Sequence, residues 1–178
     1  SLGISRTFQL IRLFPKLTVL DNLLLAHPGI SEKLSVSLFK RNFIKTEEEK
    51  AKHQCFHYLE LVNMKEISNK LAGDLSYGQQ KLVEIARCLA TESELLLLDE
   101  PVAGINPILR DKLQIIIKAL KKQGKTILLI EHDMKFVLSL ADNIVVLDHG
   151  EEIAIGQPKD IKNNPRVLEA YLGEKINI

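Results

Sequence analysis

The chain has only two cysteines, Cys55 and Cys88, with no C-x-x-C spacing between or around them. It therefore offers no framework for a cysteine-held metal or a disulfide scaffold, and both thiols fall in helical-looking segments, as buried cysteines of a reducing, cytosolic compartment do. Net charge is nearly absent: 24 Lys and Arg offset 23 Asp and Glu, leaving a formal +1. Without a basic surplus or basic clusters there is no electrostatic footprint for nucleic acid or for an anionic membrane surface. Long apolar runs are missing too. The stretch Ile127 to Ile130 is far shorter than the roughly 20 residues that span a bilayer, and Ser1-Leu2-Gly3-Ile4-Ser5-Arg6 is not followed by a secretory core. Membrane association would have to come through a partner. No G-x-x-x-x-G-K-[ST] phosphate loop occurs in the 178 residues, so the backbone cradle and lysine that such a loop supplies to phosphates are not encoded here.

What is present is a globular composition, 46% hydrophobic and 26% charged, enough for a real core and consistent with one domain. No internal repeat or low-complexity segment is seen. Residues 1–24 show no strand-length alternation and read as a loop leading into a short helix, with Thr18 placed to cap it and Asp21 near its positive end. Pro28-Gly29 reads as a turn, and no secure period extends through Lys45. Thr46-Glu47-Glu48-Glu49 matches a capping box, with Ala51, Cys55, Leu59 and Val62 at helical spacing behind it, which predicts a helix over 47–63. Ser76 stands as N-cap of a second helix running to about Thr91, with Leu82, Ile85, Ala86 and Leu89 on one face. Strands and helices then alternate: Leu95 to Leu98, Pro107 to Lys122, Thr126 to Ile130, Met134 to Leu140 and Asn143 to Leu147. Continuous apolar strands between helices predict a parallel sheet covered on both faces. Asp148-His149-Gly150-Glu151 reads as a hairpin turn, Pro158 and Pro165 each open a short helix, and Gly173 ends the last one.

Three places carry chemistry. Four leucines run into Asp99-Glu100, so a buried strand presents adjacent carboxylates at the C-terminal edge of the sheet, where open α/β sheets bind ligands. Asp99 is placed to organise magnesium and its waters, and Glu100 to act as base on an attacking water. By itself this pattern is more often a strand leaving the core into a solvated acidic turn. Ser76-Tyr77-Gly78-Gln79 at a helix start combines a hydroxyl, a glycine N–H and the helix dipole into a site that accepts a phosphate, although an ordinary N-cap is the commoner meaning. His132 follows the apolar run Thr126 to Ile130, at the end of a second buried strand on the same edge as Glu100, within reach of a γ-phosphate. His27, His53, His57 and His149 have no such placement and read as loop or satisfied hydrogen-bonding groups. Each signal is weak alone, and their joint occurrence in this order is what gives them weight.

Together these residues resemble the nucleotide-binding subunit of ATP-binding-cassette (ABC) transporters over essentially the whole chain. The resemblance matches Gln9 to the Q-loop glutamine, which contacts magnesium and the attacking water, and Leu75-Ser76-Tyr77-Gly78-Gln79 to the signature motif. It matches Asp99 and Glu100 to the Walker B pair, Ala103 to Pro107 to the D-loop, and His132 to the switch histidine. Arg6-Thr7-Phe8-Gln9, Tyr77-Gly78-Gln79-Gln80, Glu100 to Pro107, Glu131-His132-Asp133-Met134 and Ala170 to Glu174 are similar to the branched-chain amino-acid importer ATPases. Tyr77 replaces a glycine common in the signature, and Asn106 stands where many relatives have aspartate.

The resemblance implies an α/β fold of the P-loop NTPase (RecA-like) type: a parallel sheet with an inserted α-helical signature subdomain, here without the N-terminal strands and phosphate loop. It divides the chain into residues 1–24 (Q-loop and connection), 25–92 (helical subdomain ending in the signature helix), 93–150 (C-terminal part of the ATPase core) and 151–178 (terminal hairpin strand and helices). ATP and Mg2+ are the implied cofactors. The implied partners are a second ABC ATPase subunit, and permease subunits reached through the Q-loop and helical arm, with Arg12, Phe14 and Leu17 as exposed contacts. The location would be the inner face of the cytoplasmic membrane. The expectation is a fragment unable to hydrolyse ATP alone, with apolar surface exposed where further strands belong. Two alternatives are a non-catalytic module pairing with a complete ATPase and a soluble ABC protein of translation or DNA repair. The near-neutral charge speaks against the latter.

Overall fold

The structure, a computed structural model, describes residues 3–7, 11–31 and 41–172. The chain divides into two units, Ser1–Ile130 and Glu131–Ile178.

The first unit is built on a three-stranded parallel sheet in the order β1 (Ile4–Arg6), β2 (Leu95–Asp99), β3 (Thr126–Ile130). β1 lies where no strand was expected. It has only three residues, too few for a period to register, and pairing with β2 holds it extended, Ile4 beside Leu95 and Arg6 beside Leu97. Because side chains alternate along a strand, the register sorts the sheet into two faces. Ser5, Leu96 and Leu98 form a buried face, the two leucines only 1% exposed, and Ser5 Oγ donates to the Cys88 carbonyl of the helix above it. On the other face Ile4, Leu128 and Ile130 are 50%, 56% and 56% exposed. The sheet is therefore covered on one face and open on the other, which corrects the expectation of strands buried on both sides. β3 alternates between half-buried and exposed residues.

Between β1 and β2 lies the helical part: α1 (Val19–Leu24), α2 (Pro28–Ser31), α3 (Arg41–Leu61) and α4 (Tyr77–Ala90). Thr18 caps α1 as expected, its hydroxyl accepting from the Asp21 N–H at 3.1 Å. Pro28-Gly29 opens one turn of helix, not a reverse turn. α3 begins at Arg41, five residues before Thr46, so Thr46 to Glu49 is interior to the helix and does not start it. Lys50 and Lys52 pair with Glu47, Glu48 and Glu49 one turn away, which supports a helix running through this segment. The predicted inner face is borne out: Ala51, Cys55, Leu59 and Val62 are all at most 1% exposed, and pack with Leu82, Ile85, Ala86 and Leu89 of α4 in the buried set. Both cysteines are free and buried. His27 is a satisfied buried histidine, its Nδ1 accepting from Gly29 N–H and its Nε2 2.7 Å from Gln54 Oε1. After β2, α5 (Pro107–Lys122) buries Leu113, Ile116, Ile117 and Leu120 and leads back to β3.

The second unit starts with α6 (Met134–Leu140) and continues with an antiparallel hairpin, β4 (Ile144–Asp148) and β5 (Glu151–Gly156). The turn was read correctly: His149 and Gly150 both have positive φ, 47° and 85°, as a two-residue turn matched to strand twist requires. Pro158 and Pro165 open α7 (Pro158–Lys162) and α8 (Pro165–Leu172). Ile144, Val146, Ile161 and Val167 make its core. Gly173 lies outside the described residues.

Candidate functional site

β2 delivers Asp99 on the open face of the sheet, in register with Ile130. The Asp99 N–H donates to Thr7 Oγ1 at 3.1 Å, and the Thr7 N–H to the Leu97 carbonyl at 2.9 Å. Arg6, two positions back along the same face, reaches diagonally so that its guanidinium lies 2.9 Å from Asp99 Oδ2. With Arg6 half exposed, this pair is worth only about 0–1 kcal/mol, so it orients the carboxylate without sequestering it. A partly buried carboxylate, its side chain 22% exposed at the C-terminal end of the sheet, fits Mg2+, which is bound through one or two carboxylates together with waters and phosphate oxygens. Among the described residues no group of three or more His, Cys, Asp or Glu could hold a metal by itself.

Glu100 follows with φ of 46°, the left-handed region that costs a side-chain-bearing residue roughly 1–2 kcal/mol. Both of its backbone groups are held. Its N–H donates to the Ile130 carbonyl at 2.9 Å; its carbonyl accepts from the Ala103 N–H at 3.2 Å and from the Lys81 ammonium at 3.0 Å. This chain reversal takes Glu100 out of the strand alternation, so consecutive carboxylates can serve one site.

The start of α4 is a complete capping box. Ser76 Oγ accepts from Gln79 N–H at 3.4 Å, and Gln79 Oε1 accepts from Ser76 N–H at 3.0 Å. Tyr77 and Gly78 occupy the first turn, whose N–H groups have no acceptor within the helix. A Cβ on Gly78 would lie 2.4 Å from Leu109 Cδ2 of α5, so glycine is what lets the two helices approach. Both departures noted in the sequence find physical roles here. The Tyr77 ring sits against Gly104, where a Cβ would come within 3.1 Å of Cε1. Asn106 caps α5, its Oδ1 accepting from the Leu109 N–H at 2.9 Å, a task aspartate performs equally well.

Gln9 lies outside the described residues. The segment beyond it is tied to α4: Glu84, 3% exposed, accepts from the Arg12 N–H, and Arg87 donates to the Arg12 carbonyl. Arg12 and Phe14 are exposed, whereas Leu17 is half-buried and not the exposed contact expected. His132 belongs to the second unit; it is exposed and directly precedes Asp133, whose carboxylate caps α6 by accepting from Phe136 N–H at 3.0 Å. Within the first unit the structure thus brings Asp99, Glu100, the loop Val102 to Asn106 and the start of α4 into one packed assembly. Sequence reasoning missed Thr7, Arg6 and Lys81. Their only sequence signal is adjacency to Gln9 for the first two and to the signature for the third.

No helix among the described residues is long and apolar enough to cross a membrane. Residues 1–103 match the family model "ABC transporter", and residues 151–176 match "Branched-chain amino acid ATP-binding cassette transporter". The chain is 46% identical over 174 residues to the high-affinity branched-chain amino acid transport ATP-binding protein BraF of Pseudomonas aeruginosa, covering 97% of this chain and 68% of BraF. It resembles the crystal structure of MJ1267 in its ADP conformation, an ATP-binding cassette of an ABC transporter, with a TM-score of 0.77 and 36% identity over 97% of this chain and 69% of that one. A dimeric post-hydrolysis structure of the cassette MJ0796 bound to ADP and Pi aligns with a TM-score of 0.66 and 27% identity, over 87% of this chain and 62% of that one. The parallel sheet with its inserted helical part is accordingly the P-loop NTPase-type fold of these cassettes. The chain belongs to the ABC transporter family as an ATP-binding subunit, an ABC-type ATPase similar to those of branched-chain amino-acid transport.

Proposed function

We propose that this subunit hydrolyses ATP to drive import of branched-chain amino acids, working as one half of an ATPase dimer attached to permease subunits at the inner face of the cytoplasmic membrane. The observation that carries the reading is the end of β2, where Asp99 is oriented by Arg6 and Thr7 while Glu100 is held left-handed by three hydrogen bonds. An oriented Asp99 carboxylate followed by a Glu100 whose backbone is fixed, next to a capped helix start, suits phosphoryl transfer to water, which depends on positioning and electrostatics more than on covalent chemistry. Asp99, with Gln9, would hold Mg2+, which when bound neutralises phosphate charge. Glu100 takes the proton of the attacking water as that water approaches the γ-phosphorus. Ser76, with the first-turn N–H groups of Tyr77 and Gly78 and the side chain of Gln79, receives the γ-phosphate of ATP bound by the partner subunit. Resemblance to the family assigns His132 the role of switch histidine, a donor to a γ-phosphate. The Q-loop around Gln9 and the helical part, with exposed Arg12 and Phe14, face the permease.

These 178 residues by themselves would not turn over ATP, because they contain no phosphate loop and ground-state binding and much of the charge stabilisation depend on one. Two measurements test the proposal. ATP-dependent uptake of leucine, isoleucine and valine by vesicles carrying the assembled transporter should vanish on Glu100→Gln; uptake that persists overturns the assignment. Titration of the 178-residue chain with ATP should show no micromolar binding, and micromolar affinity would overturn the second statement.

A further inference from the structure

Lys81 is 4% exposed, one of the few charged side chains buried in the described residues. It lies on α4, one turn beyond Tyr77, yet its ammonium leaves the helix to donate to the Glu100 carbonyl at 3.0 Å and lies 5.8 Å from the centroid of the Tyr77 ring. Burying an ammonium against a carbonyl and an aromatic face is costly, and an apolar residue of similar length would serve the core better. The carbonyl it holds is that of a residue in left-handed conformation, φ 46°, which persists only where surrounding groups over-determine it. The Ala103 N–H holds the same oxygen at 3.2 Å, so the backbone after β2 is clamped from the loop on one side and from the signature helix on the other. Tyr77, against which the ammonium rests, also packs on Gly104 of that loop.

We propose that Lys81 is a positioning residue for ATP hydrolysis. It fixes the peptide of Glu100, and so the aim of the carboxylate, and makes that aim depend on where α4 stands. Resting on the function proposed above, this ties the base of one ATP site to the signature serine that serves the other, through a single side chain within one subunit. A shift of α4 as nucleotide arrives at Ser76 moves the Lys81 ammonium and changes the hold on Glu100. Information then passes between the two sites without a change in the sheet.

The test uses the assembled transporter in vesicles, comparing Lys81→Met, Lys81→Arg and Glu100→Gln. Misplacing a catalytic group by about 1 Å costs up to about 100-fold, so Lys81→Met should lower kcat per folded subunit roughly 10- to 100-fold, with KM for ATP changed less than about twofold. Lys81→Arg, which restores a cationic donor, should recover most of kcat. A Lys81→Met subunit with wild-type kcat per folded molecule, or one whose loss Lys81→Arg does not recover, overturns the proposal. So does an activity loss that only follows a lower melting temperature. Wild-type turnover in Glu100→Gln overturns the functional reading itself, whereas a dead Glu100→Gln beside a fully active Lys81→Met removes the Lys81 proposal alone.

Discussion

Ser76 has two jobs that a single substitution series separates. Its hydroxyl caps α4, but the bond to Gln79 N–H is 3.4 Å, well beyond the 2.9–3.0 Å typical of a strong N–H···O bond. Replacing it with alanine should therefore cost stability at the low end of the range for lost caps, about 0.5–1 kcal/mol. For a domain at the low end of ordinary stability, about 5 kcal/mol, roughly 4 kcal/mol remains, and the unfolded fraction is only on the order of 0.1%. Loss of fold thus cannot account for a loss of turnover. If the hydroxyl also meets the transferring phosphoryl of the partner site, Ser76→Ala should reduce hydrolysis about 100-fold, the scale seen when one preorganised hydrogen-bonding group is removed from a developing charge. Two further variants divide the roles. Glycine is nearly as good an N-cap as serine, so Ser76→Gly should melt within a degree or two of wild type yet lose as much activity as alanine. Ser76→Asp should cap α4 well and complement its dipole, yet be inactive because it sets a carboxylate against a phosphate. The assay pairs thermal melting of the purified subunit with ATP hydrolysis by the assembled transporter. Activity that follows melting temperature across the three variants, with Ser76→Asp and Ser76→Gly active, would refute the phosphate contact and leave Ser76 as a cap only.

Two other outcomes follow from the packing. Ile4, Leu128 and Ile130 leave an apolar sheet face open to water, so the purified 178-residue chain should self-associate; Leu128→Lys, at a position already 56% exposed, should cost less than about 0.5 kcal/mol and shift sedimentation toward the monomer, and an unchanged distribution would refute the role of this face. Desolvation, with a smaller contribution from Glu92, pushes the Cys55 thiol up to about 12, and burial, with Glu84 second, pushes Cys88 up to about 11. The folded state therefore keeps both protons where the unfolded chain gives them up, so their contribution to stability is complete below about pH 9 and is lost as pH rises toward 11–12. Iodoacetamide at pH 8 should label neither thiol until denaturant is added; labelling of the native protein, read by mass spectrometry, would contradict this.

The sequence determined by itself those elements whose cause is local. The α4 cap, the apolar faces of α3 and α4, the helix start at Pro107 and the His149-Gly150 turn depend on neighbours within a few residues, and all were legible. So was the order of the motif residues, because four leucines before Asp99-Glu100 state a strand and its end. Tertiary structure decided the rest. β1 exists only because residues about 90 positions away offer it a partner, and α3 runs through Thr46 to Glu49, so the capping-box pattern there does not mark its start. Whether a face of the sheet is covered depends on what lies over it, so the open side of β3 could not be read from an apolar run. Thr7, Arg6 and Lys81 became visible only once β1 and α4 were set beside the end of β2. A hydrogen bond from residue 81 to the backbone of residue 100 leaves no trace in spacing; it is created when the helix and the strand end meet.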